Sequence, residues 1–150
     1  MSRGATTAAG PAGYSGKPLP EKLGYKAGQH ALFIGLPTAL ASLPASTRFA
    51  SIAQERDWDA ALPGGAFDLI HAFTMRGSDL DGGLARLRAA LRPEGMIWVS
   101  WPKKAAKVAT DVTEDRIRDA ALAGDLVDVK VAAIDAVWSG LKLVIRKALR

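Results

Sequence analysis

Three short apolar runs set the limits on what this chain can fold into: HALFIG at 30–35, FDLIHAF at 67–73 and MIWVSW at 96–101. Each falls well short of the roughly 18 to 20 apolar residues of a membrane helix, and each is apolar at consecutive rather than alternate positions. A strand with one wet face alternates, whereas a strand covered on both faces does not. The runs therefore predict buried strands of a parallel sheet, the first ending at Gly35.

The segments between them carry other signals. PTALASL predicts a short helix with Pro37 in its first turn, where the missing N–H costs nothing. STRFASIA predicts a second strand, and QERDWDAALPGGA a brief helix around Trp58 to Leu62 before Pro63, Gly64 and Gly65 break the chain. In SDLDGGLARLRAAL, Leu80, Leu84, Leu87 and Leu91 share one helical face, and Ser78 with Asp81 has the spacing of a capping box. DVTEDRIRDAALAG predicts a helix capped by Asp111 and stopped by Gly124. LVDVKVAAI and LKLVIRK then read as two strands, joined through DAVWSG at 135–140, which favours an antiparallel hairpin. Strands alternating with helices in this order predict an α/β, three-layer Rossmann-like domain: a mostly parallel sheet with a C-terminal antiparallel hairpin.

With 150 residues, 49% of them apolar, the chain is the size of one globular domain with a real core. MSRGATTAAGPAG has neither apolar periodicity nor the continuous apolar core of a secretory signal, so residues 1–13 are expected to form a disordered tail and 14–150 the domain. GYSGKPLPEKLGYKAGQ, with Pro18 and Pro20, allows one helical turn at most. There is no cysteine, which excludes disulfides, thiolate zinc sites and thiol nucleophiles and makes the cytoplasm the expected compartment. The formal charge of +5 permits an anionic partner but is spread along the chain.

FDLIHAF followed by LARLRAALRPEGMIWVS, together with the terminal hairpin, resembles the class I methyltransferases, Rossmann-like enzymes that use S-adenosylmethionine. That resemblance spans roughly Gln29 to Lys147, with one strand and helix unit missing between Ala53 and Phe67. Members commonly end the first strand in an acid followed by alternate glycines. Here Phe33 stands at the acid, Gly35 at the first glycine, Pro37 at the second and Ala39 at the third. Proline removes a backbone donor where close approach is needed. Glu55, about twenty residues past Gly35, stands where a ribose-binding acid is often found; the alternative is a solvated glutamate. Three further segments, GYSGKPLPEKLG, SWPKKAAKVATDVTEDRIR and LVDVKVAAIDAVWSGLK, resemble a family of small bacterial proteins known only as a domain of unknown function. That resemblance brings no activity, but implies that these segments belong together.

Ligands of open parallel sheets bind outside the carboxyl ends of the strands. WPKK at 101–104 and DAVWSG both leave strands at that rim, as does Gly35. The candidate ligand residues are therefore Gly35, Trp101, Lys103, Lys104, Asp135, Trp138 and Ser139, with lysines supplying charge and tryptophans an apolar wall, and Asp135 placed to pair with Lys103 or Lys104. Their structural alternatives are tryptophans plugging the sheet, solvated lysines and an aspartate tying down its turn. His71, inside an apolar run, reads as a satisfied core residue, and His30 as surface. GYSGK lacks the full nucleophile elbow, and two separated histidines make no metal cluster. The expected function is a non-catalytic module with a degenerate S-adenosylmethionine loop and no cofactor, binding an anionic small molecule or a protein partner. The first alternative is a small S-adenosylmethionine-dependent methyltransferase. The second is a nucleic-acid-binding accessory protein, which lysine beside tryptophan in WPKKAAK permits without a recognised motif.

Overall fold

The computed structural model describes residues 16–150, so the tail expected at 1–13 lies outside the described residues. The strands are β1 (His30–Ile34), β2 (Ser51–Glu55), β3 (Phe67–Phe73), β4 (Leu91–Pro102), β5 (Leu126–Ala133) and β6 (Trp138–Ile145). The helices are α1 (Leu19–Lys22), α2 (Gly83–Ala90) and α3 (Glu114–Ala123). One six-stranded sheet has the order β2-β1-β3-β4-β6-β5. β1 is parallel to β2 and β3, β3 is parallel to β4, and β6 runs antiparallel to β4 and β5. The expected mostly parallel sheet with its terminal hairpin is therefore present. No helix or strand intervenes between β2 and β3, which leaves β2 as an exposed edge.

The apolar runs occupy the sheet's centre because both of its faces are covered. On one face, Leu84 and Leu87 of α2 and Ile117 and Ala121 of α3 pack on Leu32, Ile70, Ile97 and Leu141. Burying each such leucine or isoleucine contributes about 1.5–3 kcal/mol. The opposite face, with Phe33, Leu69 and Trp98, is covered by Leu23 and Tyr25 beside α1 and by Leu40 and Leu43. Trp98 Nε1 donates to Leu23 O at 2.7 Å and ties the N-terminal segment to the sheet.

Several local expectations are corrected. PTALASL forms two 3-10 turns, Thr38–Leu40 and Leu43–Ser46, rather than a helix, with Pro37 just before the first. The run between Pro37 and Pro44 is too short for a helix, since the residue before a proline is pushed out of helical geometry. No helix forms at Trp58 to Leu62. Ser78 and Asp81 make no capping box, because a separate 3-10 turn at Gly77–Asp79 precedes α2, whose N-cap is Gly82 at φ +74°. Thr113, not Asp111, caps α3, its hydroxyl accepting from Arg116 N at 3.1 Å. β4 starts at Leu91 rather than Met96, pairing with Phe67 before the chain bulges through Pro93 and Gly95.

Candidate functional site

The chain runs outward from β1 to the edge strand β2, then crosses back over β1 to reach β3. The carboxyl ends of β1 and β3 therefore flank the point where the winding reverses, the place where this architecture leaves a crevice. A cavity of about 380 Å³ opens there. Its backbone side is Gly35 and Pro37 after β1 and Thr74 and Met75 after β3. Trp58, Phe73 and Trp138 supply aromatic walls, Phe73 and Trp138 meeting edge to face at 5.3 Å. Arg56 with Asp57, and Arg76 with Asp79, bring two cations and two carboxylates to the lining.

Gly35 makes the crevice possible. Its φ is +64°, and a Cβ there would lie 2.8 Å from Phe73 O, so only glycine fits between the strand ends without displacing backbone. Its N–H donates to Glu55 O at 2.9 Å. Glu55 is the last residue of β2, and with Gly35, Leu36, Gln54 and Arg56 it lines an adjoining hollow of about 350 Å³. The two hollows share Gly35 and Arg56.

Hydrogen bonds fix the cavity's walls. Trp58, almost fully buried, donates from Nε1 to Phe73 O at 2.9 Å, and Arg86 donates to Trp58 O at 3.2 and 3.3 Å. Thr74 Oγ1 donates to Asp79 Oδ2 at 2.6 Å, and Arg76 lies 3.7 Å from the same carboxylate's other oxygen. The loop after β3 is clamped from outside by the segment before α3. Gly77 N donates to Asp111 Oδ1 at 2.7 Å, and Thr110 Oγ1 to Met75 O at 2.7 Å. The Gly77 N–H holds the Asp111 carboxyl below its usual range against the opposing effect of desolvation, with lesser help from the Asp111 backbone N–H and then the Arg116 charge.

The two rim segments singled out from sequence do meet. Trp101 and Pro102 pair with Ser139 and Trp138, and Lys103 N donates to Val137 O at 2.7 Å. Their side chains divide differently from expectation. Only Gly35 and Trp138 line the cavity; Trp101 is buried on the helix-covered face, so the tryptophans form no common wall. Asp135 ties down its turn, its Oδ1 accepting from Val137 N at 2.8 Å and Trp138 N at 2.7 Å. Among the described residues it makes no ion pair with Lys103 or Lys104. Lys104 is exposed, Lys103 and Ser139 are half-buried, and none of the three lines the cavity. Lys130 Nζ donates to Lys22 O at 3.3 Å, which brings the N-terminal segment against β5.

Sequence reasoning missed Arg56, Asp57, Thr74, Met75, Arg76 and Asp79. The signal was positional: Arg56 and Asp57 directly follow β2, and Thr74, Met75, Arg76 and Asp79 lie in the loop after β3.

Phe33 and His71 are fully buried beneath the cavity, their rings stacked at 6.3 Å. His71 Nδ1 lies 2.6 Å from the Tyr25 hydroxyl and Nε2 lies 2.7 Å from Ser100 Oγ. Burial lowers the His71 pKa to about 3 and pushes the Tyr25 phenol above its usual range. His71 is thus a neutral, satisfied core residue, as its sequence setting suggested.

No protein-family model matches the chain, and a search of curated proteins finds no match either. The resemblance to the small bacterial family therefore rests on its three segments alone. Solved structures do match. A TehB-like S-adenosylmethionine-dependent methyltransferase from Corynebacterium glutamicum superposes with a TM-score of 0.61 at 11% identity, over 85% of each chain. A S-adenosylmethionine-dependent methyltransferase from Aquifex aeolicus gives 0.58 at 13% identity, over 84% of this chain and 89% of the other. The 4+2 cyclase SpnF gives 0.59 at 10% identity, over 83% and 77%. At such identities the likeness establishes the fold, a methyltransferase-like core.

Proposed function

We propose that this chain is a small S-adenosylmethionine-dependent methyltransferase whose ligand site is the cavity between the ends of β1 and β3. The observation that carries this reading is an open, ligand-sized cavity at the fold's reversal point, with Glu55 ending β2 beside the Gly35 turn. The residues suit the ligand unevenly. Glu55 stands ready for ribose hydroxyls, and the aromatic walls for a flat base. The methionine end lacks the acid that Phe33 replaces and the backbone approach that Pro37 blocks, and 3-10 turns stand where a helix would present N–H groups. The mixed charges of Arg56, Asp57, Arg76 and Asp79 suit that zwitterionic end instead. When bound, S-adenosylmethionine supplies an activated methyl group. The chain's own part is to orient ligand and acceptor against Trp58, Phe73 and Trp138, beside the Asp57 and Asp79 carboxylates, since His71 is sealed in the core.

A second reading, a non-catalytic module for an anionic small molecule or a protein partner, is favoured by Phe33, Pro37 and the missing helix. A nucleic-acid partner has only the rim lysines in its favour, and membership of the small bacterial family only the quoted segments. Fold alone does not choose a reaction, since a cyclase shares it. Calorimetric titration with S-adenosylmethionine decides. The proposal expects saturable binding in the micromolar range, weakened by Glu55→Gln; no binding up to millimolar ligand transfers the case to the second reading.

A further inference from the structure

Three lysines on the face that α1 covers are set against one another. Lys130 of β5 and Lys142 of β6 are register partners on adjacent antiparallel strands. Opposed side chains there stand about 5 Å apart at Cβ, and like charges destabilise the pair. Lys26 lies in the segment after α1, close enough for its charge to be felt: burial first, then the charges of Lys130 and Lys26, push the half-buried Lys142 ammonium below its usual range. Lys130 Nζ donates to Lys22 O at 3.3 Å, which holds its ammonium beside the N-terminal segment. None of the ion pairs among the described residues includes Lys26, Lys130 or Lys142. Arg76, Arg88, Arg92, Arg116, Arg118 and Arg150 are paired with carboxylates; Lys130 and Lys142 face each other instead.

We propose that Lys26, Lys130 and Lys142 form a second binding site, separate from the cavity, for the clustered phosphoryl oxygens of a small polyphosphate-bearing ligand. The opposed Lys130 and Lys142 ammonium groups, with the Lys26 charge felt beside them, match several negative charges close together better than one carboxylate, and an anion between them turns a repulsive contact into charge-assisted hydrogen bonds. Lys142 lies four residues along β6 from Trp138, about 13 Å at strand spacing, so a small anion cannot occupy both places.

The test is calorimetry on the full chain at low ionic strength, with inorganic triphosphate and with cytidine triphosphate. Saturable binding is expected for both. Equal affinity identifies the phosphate chain alone as the recognised group, and tighter nucleotide binding adds a contribution from the base. The Lys130→Gln, Lys142→Gln variant should bind about tenfold or more weakly, while its melting temperature without ligand stays level or rises because a like-charge pair is gone. Lys142→Arg keeps the charge and should keep the binding, which serves if the double variant folds poorly. Lys103→Ala with Lys104→Ala should bind as the unaltered chain does. Absence of saturable triphosphate binding, unchanged affinity after removal of Lys130 and Lys142, loss of affinity in the rim variant instead, or binding only of a single-stranded oligonucleotide each overturns the proposal.

Discussion

Acidification should destabilise this protein through one residue, His71. In the fold its imidazole is fully buried and neutral, with a pKa lowered to about 3 by burial against an ordinary value of 6.5. The unfolded chain therefore binds a proton that the folded chain refuses, and stability falls as pH drops from 6.5 toward the folded value. Between about pH 7.5 and pH 5 the unfolded-state imidazole passes about 1.5 units below its pKa. At about 1.4 kcal/mol per unit, this one group removes about 2 kcal/mol, roughly a thirtyfold change in the folding equilibrium. The assay is urea unfolding followed by tryptophan fluorescence across that range, for the unaltered chain and for His71→Gln, whose amide can still meet Tyr25 and Ser100 but does not titrate. The variant starts less stable; the informative quantity is its slope. Carboxylates and His30 are present in both proteins and cancel in the comparison. Equal slopes in the two proteins would refute the reasoning.

Three further outcomes follow from the rim. Gly35→Ala should cost about 1–3 kcal/mol in urea unfolding, since a Cβ at φ +64° meets Phe73 O at 2.8 Å; a neutral result would mean that the strand ends separate freely. Asp135→Ala should lower stability by about 1–2 kcal/mol, because two backbone N–H groups lose their acceptor; urea unfolding reads it, and unchanged stability would show the turn to be held elsewhere. Lys103→Ala with Lys104→Ala should move stability by about 0.5 kcal/mol or less, and a larger loss would show that these side chains carry contacts beyond solvent.

The sheet was legible because its central strands are covered on both faces. HALFIG, FDLIHAF and MIWVSW could be satisfied only inside such a layer, and the short DAVWSG link left the last two strands little choice but a hairpin. Local details were less legible where two signals competed. Pro37 marks a helix start, but Pro44 leaves too few residues to complete one, so 3-10 turns win. Ser78 and Asp81 have capping-box spacing, but Gly82 takes the left-handed conformation that starts α2 one turn later. Leu91 fits the helical leucine stripe and is buried as predicted, yet its backbone pairs with Phe67. Of the site, sequence placed the rim segments together and found Gly35 and Trp138. It missed the charged residues of the cavity because Arg56, Asp57, Arg76 and Asp79 belong to no motif and gain meaning only when β2 and β3 end on either side of β1. Lys130 and Lys142 were hidden for the same reason, since only strand register sets them against each other.

The central claim, that the crevice between β1 and β3 is the ligand site, is tested most directly by mapping amide chemical shifts in the ¹⁵N-labelled protein during titration with S-adenosylmethionine. Saturable shifts are predicted at Gly35 and Leu36, across residues 54–58 and 74–79, and at Trp138. Lys26, Lys130 and Lys142 should stay unmoved. The absence of any shift up to millimolar ligand, or shifts confined to residues away from the strand ends, contradicts the account.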